Sequence, residues 1–431
     1  MQIRHLSGNV YPKTLDVEKY DFSSADQRKF YGGRKVLSGL AGLVLDHSWV
    51  ALSVAFVAGA IVGSFLNVCI YRLPTELSIF WPPSRCGSCG QSIRWYDNIP
   101  LISYWVLRGR CRHCGTRFAM RYFWIELLTA LVFSVGFWWV VQRDGHGFVT
   151  QGGASLFTRE EVQALDGLAA EQRLRALQEK ITLRLMGVWL YDMVLVSLLV
   201  VATFTDIDTM TIPLRWTVSG TVLGCLAGAW VAWPWPMAAE LPNLSPWERQ
   251  LVQYGGIVNT GTIMPVPLGA QMWPIWFPLP DWLPPGSWWT GLANAIAGAV
   301  FGTLLMRLIR GVFSWAFRRE ALGLGDADLM MLIGAFLGWQ GVLVTLTAAV
   351  FLALGYGLFL LITARGRELP FGPFLAGGAL LTLWGAAWLM RPAQAMFFDL
   401  PLLLLLAGAF TILSVFLGMA IRLITLILWA R

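Results

Sequence analysis

Charge is scarce in this chain. Lys, Arg, Asp and Glu make up 13% of its 431 residues, against 56% hydrophobic residues and a mean hydropathy of +0.60. Soluble domains carry about 25% charged residues, so a water-solvated globular fold is excluded and most of the chain must be solvated by lipid. Histidine is scarcer still, at four residues, and no cluster of His with carboxylates suggests an open metal site. There is no internal repeat and no glycine-rich nucleotide-binding fingerprint. The first 47 residues are polar and mixed in charge, and the first apolar run is of spanning length, so no cleavable signal peptide is expected. The net charge of +7 is no nucleic-acid signature in such a composition. Basic residues outside the spans report sidedness instead.

What the chain has in quantity is apolar runs. Each crossing needs about 20 residues, and runs of that kind are read at roughly 49–71, 123–142, 186–205, 214–233, 289–309, 329–342, 343–363, 374–390 and 401–421. The run 329–342 is short, so eight or nine spans are expected. The fold class is therefore an all-α polytopic membrane protein. The 23 tryptophans gather near span ends and in one loop, as interfacial aromatics do.

Basic residues set the sidedness. Segment 72–121 carries Arg72, Arg85, Arg94, Arg108, Arg110, Arg112, Arg117 and Arg121 against only Glu76 and Asp97, so it is expected to face the cytoplasm. Alternation puts Arg307, Arg310, Arg365 and Arg422 on the same side. The Trp- and Pro-rich loop 234–288 falls outside, lying against the outer leaflet. Segment 143–185 must also be external despite its basic residues. Its middle has helical spacing with interleaved acids, and reads as a small folded insertion.

Within the basic segment, Cys86-Gly-Ser-Cys89 and Cys111-Arg-His-Cys114 form two CxxC knuckles joined by residues 90–110. Gly90 and Gly115 allow the tight turns that bring four sulfurs to one ion. Four thiolates suit tetrahedral zinc and leave no open position, which implies a structural role. Disulfides are the alternative, and a reducing compartment disfavours them. Cys69 and Cys225 read as small buried side chains.

Acids at span edges are costly to place there. Asp206 and Asp208 follow the run 186–205, and Asp326 and Asp328 follow Gly323-Leu324-Gly325 just before the next run. The topology puts both clusters at cytoplasmic helix ends, where they can meet. Two carboxylates sharing one proton can polarise a carbonyl and activate a water at once. The glycines before Asp326 would leave room for a substrate chain, and Pro213 would start the following helix. The bland alternatives are helix capping by Asp326 or Asp328 and ordinary interfacial placement of Asp206 and Asp208. Glu126, inside a span, is expected to pair with an Arg. Asn67 and Arg72 are read as shaping a helix end or as functional. A non-enzymatic reading also stands: a transporter or assembly factor that uses the acids for ion coupling and the cysteine knuckles for docking. Such proteins place acids mid-span between broken helices, whereas these lie at span edges.

The run Gly63-Ser64-Phe65-Leu66-Asn67-Val68-Cys69-Ile70-Tyr71-Arg72-Leu73-Pro74 resembles the N-terminal hallmark of bacterial type IV prepilin peptidases. The CxxC pair, Arg121-Tyr122 with Ile125-Glu126-Leu127, Asp206 with Ile212-Pro213, Gly323-Leu324-Gly325-Asp326 and Pro370-Phe371-Gly372-Pro373 follow in that family's order. The resemblance implies a GxGD aspartic membrane protease with Asp206 and Asp326 catalytic and Ile212, Pro213, Gly323 and Gly325 in support. It implies prepilin or pseudopilin leader removal at the cytoplasmic face of the bacterial inner membrane. In many members it also implies methylation of the new N-terminus from S-adenosylmethionine. On this reading the chain divides into a polar extension (1–48), a first helix (49–71), a cytoplasmic zinc-binding domain (72–122), a second helix (123–142), an external insertion (143–185), a catalytic membrane domain (186–395) and an additional C-terminal helix (396–431). Asp328 and Leu214 depart from the family pattern, and a third acid beside the dyad would oppose its ionisation unless a base compensates.

Overall fold

In a computed structural model of the protein, residues 48–143, 170–231, 288–317, 323–362 and 370–398 are described, with the isolated positions 404, 405, 408, 409 and 412. The N-terminal extension, residues 144–169 of the insertion expected at 143–185, the loop 234–288 apart from Trp288, and nearly all of the run 401–421 lie outside the described residues.

The described chain is helical: α1 (Ser48–Arg72), the short α2 (Ile102–Val106), α3 (Arg121–Phe137, continued by a π turn over Trp138–Gln142), α4 (Ala170–Thr209), α5 (Leu214–Val231), α6 (Trp288–Phe317), α7 (Leu324–Ile362) and α8 (Gly372–Phe398). Among the described residues, five stretches, in α1, α3, α4, α6 and α7, are long and apolar enough to cross a membrane. The protein is thus a multi-pass membrane protein.

Two boundaries differ from the sequence expectation. The span expected at 186–205 is the C-terminal part of the continuous helix α4, which already runs from Ala170. Nothing between these positions breaks a helix, since no proline occurs there and Gly187 is tolerated. The apolar runs expected to divide at 342/343 are instead one stretch interrupted at Gly338, with φ 69° and ψ 179°. That backbone conformation is open to glycine and almost nothing else. Hydropathy is continuous across the break, so the apolar pattern does not mark it. Beside the break, the Phe336 carbonyl accepts the Tyr191 hydroxyl at 2.8 Å.

The core lies where α4, α7 and α8 meet. Leu195, Leu199, Leu329, Leu332, Ile333 and Leu375 are fully enclosed there. Helices α6 and α7 cross at Gly298 and Gly334, where a Cβ on either residue would overlap the other's carbonyl oxygen. Small residues permit the backbone approach that drives helix association in lipid. This packing brings the start of α7 and the start of α8 against the end of α4.

Candidate active site and metal centre

Asp206 lies one turn before the end of α4, and Asp326 lies in the first turn of α7. Both are buried, with 6% and 8% of their surface exposed. They come close enough to interact electrostatically. Each carboxylate is fixed through one oxygen by a backbone amide. Gly372 N–H, at the start of α8, donates to Asp206 Oδ2 at 2.9 Å, and Gly323 N–H donates to Asp326 Oδ2 at 3.2 Å. Neither Oδ1 takes part in a hydrogen bond with the described residues. The capping of α7 expected as a bland role for Asp326 is present, since Gly323 and Asp326 stand at the positions of a capping box. It occupies only one of the two oxygens.

The supporting residues explain why the pair holds. Ile212 is buried and packs on Gly325, where a Cβ would lie 3.1 Å from Ile212 Cβ. The room at Gly325 expected for a substrate chain is therefore taken by Ile212, because the turn after α4 folds back over the start of α7. Pro213 precedes α5, and its carbonyl accepts the Trp216 and Thr217 amides that begin the helix. Gly372 abuts Asp206 so closely that a Cβ there would stand 2.5 Å from Oδ2.

The other two acids face elsewhere. Positions i and i+2 of a helix lie about 200° apart. Asp208 pairs with Arg121 at the start of α3, at 2.6 and 2.7 Å, while the Arg121 guanidinium rests 5.2 Å above the Phe204 ring. Asp328 has the charge of Arg307 on α6 as its electrostatic neighbour.

Glu126 does not pair with an Arg as expected. Among the described residues it accepts the Leu101 amide at 2.8 Å. This donor reaches it because the chain before α2 folds back onto α3. Asn67 Nδ2 donates to the Tyr122 carbonyl, and Arg72 donates to the carbonyls of Ser78, Ile79 and Pro82. Both shape the exit from α1. Cys69 is buried and Cys225 half-buried. Asp192, next to Tyr191 in α4, is a fully buried acid with no motif around it to mark it in the sequence. The apolar run hides it.

The two knuckles fold alike. Cys86 N–H bonds to the Gln91 carbonyl and Gly90 N–H to the Cys86 carbonyl, and the same pair of bonds links Cys111 to Thr116 and Gly115 to Cys111. Gly90 and Gly115 take φ values of 68° and 70°, which the turn requires. Isolated bridges, Arg85 to Ser92 and Arg110 to Arg117, close each loop. The four sulfurs lie within 4.8 Å of one another, with Cys86 and Cys114 at 3.7 Å. Four ligands at about 2.3 Å from a tetrahedral zinc stand about 3.8 Å apart, so the donor set fits. Arg112, inside the second knuckle, makes a bidentate pair with Asp97 at 2.6 to 3.0 Å. That guanidinium holds the Asp97 carboxyl below its usual range.

The thiols are electrostatically unequal. The Cys89 and Ser88 amides hold Cys86 below its usual range, and the Thr116 hydroxyl brings Cys114 down to about 6. Against the Gln91 amide, desolvation and the neighbouring sulfurs push Cys89 up to about 11. Four sulfurs this close do not all ionise without a cation among them. These cysteines could hold a metal ion.

Comparison with known proteins agrees with this geometry. A family profile described as the bacterial peptidase A24 N-terminal domain matches residues 57–140, which include all four knuckle cysteines. A second, described as the type IV leader peptidase family, matches residues 274–358, which include Asp326. Asp206 lies outside both ranges. A prepilin leader peptidase/N-methyltransferase of Myxococcus xanthus is 33% identical over 73% of this chain and 64% of its own length. Proteins of the same name from Pseudomonas putida and Pectobacterium carotovorum are 28% and 29% identical, over 78% and 75% of this chain and 91% and 89% of theirs. No solved structure matches the chain. Both profiles fall on the segments that build the cysteine cluster and the second aspartate, and in both segments the chain is similar to the type IV leader peptidase family.

Proposed function

We propose that this protein is a membrane aspartic endopeptidase that removes the leader peptide of type IV prepilins or pseudopilins. Asp206 and Asp326 are its catalytic pair. The observation that carries this reading is the meeting of two buried carboxylates, each anchored through one oxygen by a backbone amide. In this reading the two carboxylates share one proton and hold the attacking water. One aspartate takes the water's proton as it adds to the scissile carbonyl, while the other donates a proton to the carbonyl oxygen. Collapse of the tetrahedral intermediate returns a proton to the leaving amine and restores the shared-proton state.

In this reading residues 72–122 are a cytoplasmic domain in which Cys86, Cys89, Cys111 and Cys114 hold a structural zinc. Residues 186–395 are the catalytic membrane domain. The active site opens to the cytoplasmic face of the inner membrane, where the many arginines of 72–121 favour retention. A prepilin's apolar helix stays in the bilayer and its leader reaches the dyad from the cytoplasm. The relatives' names join N-methyltransferase to the peptidase. We extend that second activity, with S-adenosylmethionine supplying the methyl group, on the names alone.

The test is incubation of membranes containing the protein with a prepilin, with the product sequenced at its new N-terminus. Cleavage at the leader junction is expected. An intact prepilin under conditions where a relative cleaves it would overturn the reading. Labelled S-adenosylmethionine in the same incubation reads out methylation.

A further inference from the structure

The basic segment between α1 and α3 holds more arginines than the sites above use. Arg72, Arg112 and Arg121 are committed to carbonyls or carboxylates. Arg108, Arg110 and Arg117 are exposed, with no side-chain hydrogen bond or ion pair among the described residues. Together with the Tyr104 and Phe118 rings they line an open cleft of about 440 Å³.

The depth of this cleft follows from its attachments. The Leu101 amide, immediately before α2, is held by Glu126, about 7.5 Å into α3 at 1.5 Å per residue. The Trp105 ring packs edge-on against Phe123 at 5.6 Å. Helix α2 is therefore fixed beside the first turns of a spanning helix, within the headgroup layer of roughly 5–8 Å that borders the hydrocarbon. At that depth Ile102, Trp105 and Val106 are 58%, 60% and 67% exposed. Apolar and aromatic side chains beside unpaired arginines are the composition that binds a charged membrane surface.

We propose that this face docks on the bilayer, with Ile102, Trp105 and Val106 entering the headgroup layer and Arg108, Arg110 and Arg117 binding the phosphates of anionic phospholipids. Docking fixes the cysteine-knuckle domain against the membrane and is independent of the peptidase reading. The occupant is lipid because α2, whose Tyr104 lines the cleft, is held beside the first turns of α3, and the charge of the cleft complements an anionic leaflet.

The experiment uses the full chain in nanodiscs of phosphatidylcholine, alone or mixed with phosphatidylglycerol, with hydrogen–deuterium exchange read over residues 101–118. Slower exchange is expected in the anionic discs. Each of Arg108→Gln, Arg110→Gln and Arg117→Gln should lower the docked-to-free ratio about fivefold. Trp105→Ser should lower protection without changing charge, and metal content verifies that each variant folds. Equal exchange in both discs, or unchanged protection in folded variants, would overturn the proposal. So would equal protection by inorganic phosphate in phosphatidylcholine discs, which would make the cleft a soluble-anion site. Protection that requires added prepilin would likewise replace lipid by substrate.

Discussion

The backbone N–H of Gly372 donates to Asp206 Oδ2 at 2.9 Å, joining residues 166 positions apart in sequence. The bond fixes the first carboxylate from outside its own helix and leaves no space for a side chain on Gly372. Gly372→Ala would put a Cβ 2.5 Å from Oδ2, and the carboxylate must turn away. Leader cleavage is expected to fall by about 100-fold or more, as misplacement of a catalytic group by about 1 Å does. Helix content should be unchanged. Cleavage kinetics together with circular dichroism check this.

The Arg121–Asp208 pair is partly exposed, with 40% and 33% of the two side chains accessible. Such a pair contributes at most about 1 kcal/mol. Asp208→Asn and Arg121→Gln are expected to lower thermal stability slightly and to retain cleavage. Loss of cleavage in Asp208→Asn with stability intact would move the catalytic assignment within α4.

Purified protein is expected to carry one zinc ion per chain. Cys86→Ser or Cys111→Ser should release it and raise the reactivity of the remaining three knuckle thiols, read by elemental analysis and thiol titration. Asp97→Asn removes the carboxylate that orients Arg112 inside the second knuckle. It should weaken metal retention against a chelator about 10-fold, the scale of effect seen for residues that orient metal ligands.

At the break in α7, any side chain on Gly338 meets a backbone conformation reserved for glycine. Gly338→Ala is expected to cost about 1–3 kcal/mol. Tyr191→Phe, which strips the Phe336 carbonyl of its donor, is expected to cost about 1 kcal/mol. Unfolding in detergent measures both.

The apolar helices and the cysteine quartet are legible in the sequence because each rests on local composition or spacing; of the eight or nine spans expected, five are long and apolar enough among the described residues. The choice of Asp206 over Asp208, and of Asp326 over Asp328, is not legible from the carboxylates themselves. All four sit at span edges, and flanking motifs made the choice. What the structure adds is that Asp208 is paired with Arg121 across a long sequence separation, whereas Asp206 and Asp326 are each held by a backbone amide. The break at Gly338 escapes a hydropathy reading because a single φ value makes it, within unbroken apolar sequence. Glu126 was assigned to an Arg by the usual rule for acids in lipid, and a folded-back amide at Leu101 met the need instead.

The central claim is that Asp206 and Asp326 act together while their neighbours do not. Its most direct test is leader-peptide cleavage by Asp206→Asn, Asp208→Asn, Asp326→Asn and Asp328→Asn, each in the full-length protein and assayed side by side. Cleavage should vanish in Asp206→Asn and Asp326→Asn and persist in the other two. Cleavage retained by either Asp206→Asn or Asp326→Asn would contradict the account.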